Sequence, residues 1–287
     1  MSDIKCSEKR KFTSFEFGIR EKTILSLSIF VVFFIVIIIA GSVINPEKFS
    51  IDLINKNQSP SLTHIFGTDW IGRDMFFRTL KGLSMSMKIG VLSSVISGII
   101  AVVLGVIGPT CGKRVDSVIT WFIDLVLSVP HTLVVILISI AMGGGLKGIV
   151  VGVAATHWTS LTRVIRAEVM QIMESDYTKI SKNFGKSNWY IAKEHILPHV
   201  IPQIIVNAVL IFPHAILHEA SVTFLGFGLP PHEPAIGVIL SESMKYLTSG
   251  YWWLAFFPGL SLILVSMMVD KIGKNIEQLI NPKTAYK

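Results

Sequence analysis

Long apolar runs, separated by shorter polar intervals, are the main pattern along this 287-residue chain. Uncharged runs of this kind, about 20 residues long, match the length that an α-helix needs to cross a bilayer. Three runs carry no charge over nearly all their length, and three more are apolar but include histidine or other polar residues. The pattern therefore predicts an all-α polytopic membrane protein with six transmembrane helices, at residues 24–44, 89–111, 117–142, 146–170, 199–222 and 250–270.

The composition supports this prediction and excludes an ordinary soluble domain. Hydrophobic residues make up 51% of the chain and charged residues only 16%. If the N-terminus is cytoplasmic, 18 of the 26 lysines and arginines fall on the cytoplasmic side, as the positive-inside rule requires. We therefore expect a multi-pass plasma-membrane protein whose terminal tails, residues 1–23 and 271–287, are both cytoplasmic. Anionic inner-leaflet lipid accounts for the net charge of +7 without nucleic acid.

The N-terminal tail interleaves aromatic and basic residues between positions 11 and 22. This pattern is typical of an interfacial helix on the inner leaflet, although a frayed basic tail would have the same composition. Residues 24–44 are longer than the apolar core of a signal peptide, and no small-residue cleavage site follows, so we expect them to remain as the first span. Cys6 and Cys111 both fall on the predicted cytoplasmic side, where free thiols are expected.

Two predicted outer loops carry distinctive glycine patterns. The first, residues 45–88, includes FGTDWIGRD, in which Thr68 and Asp69 can cap a turn and Arg73 can pair with a neighbouring acid. The second, residues 223–249, contains SVTFLGFGLPPHEPAIG up to position 237, a stretch rich in glycine and proline. Irregular backbone at membrane depth needs cover by protein or water. We therefore expect this second loop to fold back into the protein.

The predicted cytoplasmic loop at 171–198 is the most polar part of the C-terminal two-thirds of the chain. An apolar stripe at helical spacing predicts a short amphipathic helix that ends at Gly185. Ser187 or Asn188 can cap a second short helix that reaches Pro198. The stripe consists of Met173, Tyr177, Ile180 and Phe184, and the opposite face carries Lys179, Lys182 and Asn183.

Motifs for enzymatic chemistry are incomplete. GKS at 185–187 and GKR at 112–114 lack the first glycine of a phosphate-binding P-loop. His218-Glu219 is not followed by the second histidine of a zinc protease. The sequence predicts neither an enzyme nor a resident cofactor, so energy for transport must come from a partner or from an ion gradient.

Titratable residues within predicted spans are candidates for function, because burying them in lipid is costly. His214 and His218 are four residues apart on one helical face, Glu219 is adjacent, and His157 lies on the preceding span. These four residues are our candidates for the translocation pathway. Imidazole suits nickel, cobalt, copper or zinc, so His214 and His218 are also candidate transient metal ligands.

The alternative is that the intramembrane histidines only form hydrogen bonds between helices. His131, beside Pro130 at an expected kink, fits that structural role best. His195 lies in the polar loop and His199 directly follows it, and both are expected to cap or pair there.

Several motifs, in order, resemble the permease subunits of binding-protein-dependent ABC importers of the dipeptide, oligopeptide and nickel group. The resemblance covers the chain from Phe66 onward: FGTDWIGRD at 66–74, TFLGFGL at 223–229, WWLAFFPG at 252–259 and Asn281-Pro282. It implies a bacterial inner-membrane location, a homologous second permease, two cytoplasmic ATPase subunits that bind ATP and Mg²⁺, and an extracytoplasmic binding protein.

The resemblance also implies that residues 171–198 are the loop that couples the permease to its ATPase. Gly185 and Ile196-Leu197-Pro198 match the family pattern, whereas Lys179-Ile180-Ser181 replaces its Glu-Ala-Ala. The expected ATPase contacts are Tyr177, Lys179, Ile180, Phe184 and Gly185. His157-Trp158 and the His214, His218 pair resemble the nickel branch, so the leading cargo is a transition metal or metal chelate, and the alternative is a di- or oligopeptide.

A secondary transporter and a structural membrane anchor are the alternatives from other classes of protein. A secondary transporter would need charged residues deep in several spans, and this chain offers little beyond Asp124 and Glu219. A structural membrane anchor would not need the glycine-rich outer loop or the polar groups of the fifth span.

Overall fold

A computed structural model of the protein describes residues 19–280. Within that range the regular structure is helical and no strand is formed, apart from one isolated bridge between Thr68 and Asp74. The interfacial helix predicted at 11–22 lies mostly outside the described residues, as does Cys6. The helices are α1 Ile19–Val43, α2 Met75–Cys111, α3 Lys113–Leu127, α4 His131–Ala141, α5 Gly145–Met173, α6 Asp176–Asn183, α7 Asn188–Ile191, α8 Leu197–Phe224, α9 Ile236–Leu247 and α10 Trp253–Ile280.

Four helical segments of the described chain are long and apolar enough to cross a membrane: Ile24–Val43, Met75–Cys111, Asn188–Phe224 and Trp253–Gln278. The pair α3 and α4 forms a fifth if it is counted as one bent span. The 29-residue α5 is more polar, but it packs against α2, α4 and α8 and is buried along much of its length. With α5 included, the architecture agrees roughly with the six predicted helices.

Helix α2 is the centre of the fold, since it packs against α1, α5 and α8. Small residues on α2 allow this close approach. A Cβ atom on Gly90 would lie 2.5 Å from Ile216 of α8, and one on Gly105 would lie 2.7 Å from Ile165 of α5. Small residues at helix contacts are typical of membrane helix bundles.

Helix α2 begins at Met75, fourteen residues before the predicted start of the second span. The carboxylate of Asp74 accepts hydrogen bonds from the backbone N–H groups of Phe76 and Phe77, which caps the helix. The first turns of α2 were not predicted as part of the span because they contain three charged residues, Arg78, Lys81 and Lys88. The outer loop predicted at 45–88 therefore ends in a helix that continues into the span.

The third predicted span is broken. Helices α3 and α4 meet at an angle of 93° around Pro130. Proline lacks an N–H donor and disfavours helical backbone at the preceding residue, which explains the break. Helix α4 packs tightly on α5, because a Cβ atom on Gly148 or Gly152 would lie within 2.9 Å of a carbonyl oxygen of α4.

The expected second short helix of the polar loop does not stop at Pro198. Helix α7 continues through a π-helical turn, Ala192–Ile196, into α8. Pro198 lies in the first turn of α8, where its missing N–H is tolerated. The predicted outer loop at 223–249 contains α9, and α10 extends ten residues beyond the predicted end of the sixth span.

Candidate functional site

Helix α6 and the turn that follows it present apolar side chains away from the rest of the chain. Tyr177 is 47% exposed, Ile180 54% and Phe184 81%. Gly185 follows with a φ of 77°, in the left-handed region that ends a helix, and its N–H donates to the carbonyl of Lys182. The predicted stop at Gly185 is therefore present. Met173, predicted on the same stripe, instead ends α5 and packs against the core.

The base of this segment is tied to the helix bundle by polar contacts. Thr178 is buried, and Ser187 caps α7 by accepting from the N–H of Tyr190 at 3.2 Å. The side-chain amide of Asn188 donates to the carbonyl of Thr110 at the end of α2, at 2.9 Å. Lys179 pairs with Glu174 at 3.1 Å, with both side chains exposed. We call residues 174–191 the knob, a small projection fixed at its base and apolar at its surface.

Three histidines from three helices meet inside the bundle. His131 begins α4, His157 lies in α5 and His218 in α8. The ring centroid of His131 lies 4.5 Å from that of His157 and 4.4 Å from that of His218. The centroids of His157 and His218 are 5.2 Å apart. One ligand nitrogen from each ring lies within 4.8 Å of the other two. We call these residues the histidine cluster.

Hydrogen bonding fixes one ring of the cluster. The Nδ1 of His157 lies 2.9 Å from the carbonyl oxygen of Val153 and must donate to it, because a carbonyl only accepts. In the neutral ring the proton is therefore on Nδ1, which leaves Nε2 with a lone pair. His131 is partly buried, and its Nδ1 is fully buried and has no hydrogen-bond partner within residues 19–280.

The cluster differs from the pair that the sequence spacing suggested. His214 shares a face of α8 with His218, but its side chain is exposed and it is not part of the cluster. His131, which we expected to be structural, is a member. Pro130 starts a new helix whose first residue points at α5 and α8, and the sequence gives no signal for that geometry beyond the proline itself.

Glu219 is completely buried beside the cluster on α8. Its Oε1 accepts from the hydroxyl of Thr223 at 3.0 Å. The same Thr223 hydroxyl accepts from the N–H of Leu229 at 3.4 Å. Glu219 therefore connects α8 to the glycine-rich outer loop rather than to the histidines.

That outer loop folds back onto the helix ends, as predicted. The hydroxyl of Ser139 donates to the carbonyl of Phe227 at 2.8 Å, and the N–H of Gly145 donates to the carbonyl of Gly228 at 3.1 Å. A cavity of about 500 Å³ lies between this loop, the turn at residues 143–145 and α9. Its walls include Glu242 and Lys245.

The first outer loop is held by a buried ion-pair network that sequence reasoning found only in part. Asp69 is fully buried; its carboxylate accepts from the Arg73 Nε at 2.6 Å and from Arg78 Nη1 at 3.3 Å. Both arginines also bind Glu242 of α9. The pairing of Arg73 was expected, but Arg78 and Glu242 are 164 residues apart and have no common motif.

The family model described as "Binding-protein-dependent transport system inner membrane component" matches residues 100–282. The dipeptide transport system permease protein DppC of Bacillus subtilis is 33% identical over 88% of this chain and 79% of its own length. The oligopeptide transport system permease protein OppC of the same organism is 32% identical over 81% and 76%. The probable D,D-dipeptide transport system permease protein DdpC of Escherichia coli is 29% identical over 92% and 89%.

Among solved structures, the inward-facing MetNI methionine ABC transporter has a chain that aligns with a TM-score of 0.56 at 15% identity, over 72% of this chain and 98% of that one. An amino acid ABC transporter solved with histidines aligns with a TM-score of 0.55 at 16% identity, over 71% and 94%. These likenesses concern the fold. The family model and the sequence matches show that this chain belongs to the inner-membrane permease components of binding-protein-dependent ABC importers, transport subunits that leave ATP hydrolysis to partner subunits.

Proposed function

We propose that this chain is one of two permease subunits that form the pathway of an importer for short peptides, with the knob docked on a cytoplasmic ATPase. The observation that carries the coupling role is the apolar surface of Tyr177, Ile180 and Phe184. Large apolar side chains in a group rimmed by polar ones are typical of a surface that binds a partner. The peptide cargo is supported by the names of the dipeptide and oligopeptide relatives.

The coupling mechanism follows from what the knob contacts at its base and at its exposed surface. Its base is bonded to α2 through Asn188 and continues through α7 into α8, so a displacement of the knob moves both helices. In the proposed assembly ATP and Mg²⁺ bind to the two ATPase subunits, and their closure moves the knob. A binding protein delivers cargo to the outer loops. Only a difference in knob contacts between the two ATPase states can drive the cycle.

The proposed orientation has both tails and the knob in the cytoplasm. Lys179, in the first half of α6, is exposed and pairs only with an exposed glutamate in the described chain. We expect an acidic residue of the ATPase groove to face it, since this family position is otherwise acidic. Gly185 is included in the proposed docking surface because it directly follows the exposed Phe184, and a Cβ atom there would meet no atom of this chain within 4 Å.

Transport of labelled dipeptide into cells that express the complete importer tests the proposal. Gly185→Val should reduce uptake at least tenfold while ATP hydrolysis continues, since the bulky side chain separates the knob from its groove. Gly112→Val is the matched control, because Gly112 also has positive φ and open space but lies outside the knob. Unchanged uptake by Gly185→Val, or equal loss in both variants, would contradict the docking role.

A second cargo, a transition metal or a metal chelate, is favoured by the histidine cluster. Imidazole is a ligand for nickel, cobalt and zinc, whereas peptide transport gives no evident use for three converging rings. In this candidate function His157, His214 and His218 line the pathway with Glu219 behind them. Labelled nickel offered with and without an excess of dipeptide separates the two cargoes: uptake of nickel that dipeptide does not inhibit favours the metal.

A further inference from the structure

We infer that His131, His157 and His218 form a binding site for one divalent transition-metal ion, with its fourth coordination position open. This assignment replaces the sequence-based pair His214 and His218 by a set drawn from three helices. The inference deepens the second cargo proposed above, and it rests on that proposal only for the source of the ion.

The ligand count and chemistry fit a borderline metal. Three neutral imidazoles and an open position match sites in which zinc or a related ion keeps a place for an exchangeable ligand. The described part of the chain places no cysteine or carboxylate in the group. Hard ions such as Mg²⁺ and Ca²⁺ prefer oxygen ligands, so nickel, cobalt, copper and zinc are the appropriate class.

The contacts of His157 are those of a metal ligand. A ligating histidine usually donates its second ring N–H to a carbonyl or carboxylate, which fixes the tautomer and orients the free nitrogen. His157 donates Nδ1–H to Val153 in this way, and its side chain is buried. The ring is therefore oriented before any ion binds.

His131 provides a second, independent observation. Its Nδ1 is buried and has no hydrogen-bond partner among the described residues. Buried polar atoms are nearly always satisfied, so an unsatisfied nitrogen on a ring that packs against two other imidazoles needs an explanation. A metal ion at the cluster would provide the missing partner.

The distances allow the site to close around an ion. Nitrogens bound to one tetrahedral metal at about 2.0–2.1 Å lie about 3.4 Å from each other. The three nitrogens here lie within 4.8 Å, so the site needs a contraction of about 1.4 Å at most. His131 starts a helix at the α3–α4 bend and His218 is only partly buried, which leaves both rings room to adjust.

The open position would bind a donor atom of whatever small molecule brings the metal. His214 lies one turn before His218 on the same face of α8 and is exposed. It is therefore placed to act on the approach to the site rather than within it. The ion would join α4, α5 and α8, so its binding should also stabilise the bundle.

The test uses the full chain, purified with a tag free of histidine, in detergent or nanodiscs. Equilibrium binding of Co²⁺, together with the visible absorption of the bound ion, should show one site per chain that Zn²⁺ displaces. His131→Ala, His157→Ala and His218→Ala should each weaken binding at least tenfold. His199→Ala is the matched control on α8, and it should bind as the unaltered chain does.

Thermal unfolding with and without Co²⁺ gives a second readout, since the ion should raise the midpoint only in chains that bind it. If His157→Ala misfolds, His157→Asn takes its place, because its amide can still donate to Val153 but offers no imidazole nitrogen. Absence of Co²⁺, Ni²⁺ and Zn²⁺ binding would overturn the inference, as would equal loss in His199→Ala. Dipeptide uptake, measured in parallel, tests the proposed importer function. A failure of the metal-site inference can therefore be distinguished from a failure of that function.

Discussion

The first outer loop and the knob are both short, polar segments that turn at glycines, yet they use their side chains in opposite ways. In the outer loop, Asp69 is fully buried and bound to Arg73 and Arg78. In the knob, Phe184 is 81% exposed. The loop satisfies its own polar groups and serves as a scaffold. The knob leaves large apolar side chains exposed, which is why we propose that it binds a partner.

The same contrast appears in the aromatic residues. Trp70 of the outer loop stacks on Tyr246 of α9, with ring centroids 4.6 Å apart, and the Arg73 guanidinium lies 5.1 Å from the Trp70 ring. Trp189 in the knob is 76% exposed. The outer loop therefore packs its aromatic rings within the chain, whereas the knob exposes them.

The largest expected effect comes from breaking the buried network. Asp69→Ala leaves Arg78, which is 3% exposed, without one of its two acidic partners. Removing one partner of a buried ion pair typically costs about 3–5 kcal/mol, and we expect a loss of this size in the free energy of unfolding. Denaturant-induced unfolding of the full chain in detergent measures it.

Glu174→Ala is the matched control in the knob, because it removes one partner of the exposed pair with Lys179. Exposed ion pairs contribute about 0–1 kcal/mol. Comparable losses for Asp69→Ala and Glu174→Ala would show that the two regions do not differ as the burial of their charges suggests.

A smaller effect is expected from the two left-handed glycines. Gly72 and Gly185 have φ values of 82° and 77°, but a Cβ on Gly72 would lie 1.7 Å from the Asp52 carbonyl oxygen, whereas one on Gly185 meets nothing within 4 Å. Gly185→Ala should cost about 1–2 kcal/mol from left-handed strain alone. Gly72→Ala adds overpacking, about 1–3 kcal/mol more. Equal unfolding free energies for the two variants would contradict the crowding at Gly72.

The third prediction concerns function rather than stability. Phe184→Ala removes an exposed ring, so the free energy of unfolding should change by no more than about 0.5 kcal/mol. Uptake should nevertheless fall several-fold, because the ring is proposed to contact the ATPase. Phe184→Leu keeps an apolar side chain and should retain most uptake. A variant with full uptake, or one that unfolds easily, would remove Phe184 from the docking surface.

Sequence periodicity predicted the helices well where one physical effect dominated. The uncharged run at 24–44 became the apolar part of α1, and Gly185 ended α6 because only glycine adopts its left-handed backbone easily. The predicted helix boundaries were wrong where contacts with distant residues satisfied charged side chains inside a helix. Arg78 lies inside α2, and its charge is satisfied by Asp69 and Glu242, which no local pattern reveals.

The candidate site residues could likewise be predicted from sequence only where they lie on the same helix. Residues on one helix face, such as His214 and His218, can be paired by spacing alone. The cluster of His131, His157 and His218 depends on how α4, α5 and α8 pack after the bend at Pro130. Residues on three helices have no fixed spacing in sequence, so only the fold brings them together.

The smallest expected effect concerns Asp52 of the first outer loop. It tests whether the hydrogen bonds of this residue contribute to the free energy of unfolding, as the buried ion pairs of the loop do. Asp52 accepts from the side-chain amide of Asn55 at 2.7 Å and from the N–H of Ile54, and these bonds lower the pKa of its carboxyl group. A lowered pKa in the folded state contributes stability above the unfolded value, near 3.9, and that contribution is lost as the pH falls below it. In Asp52→Asn the slope of stability against pH below about 4 should therefore flatten slightly. Asn55→Ala should flatten it too, since it removes the main cause of the shift. An unchanged slope in both variants would show that the hydrogen bonds of Asp52 do not contribute to the acid sensitivity of the folded protein.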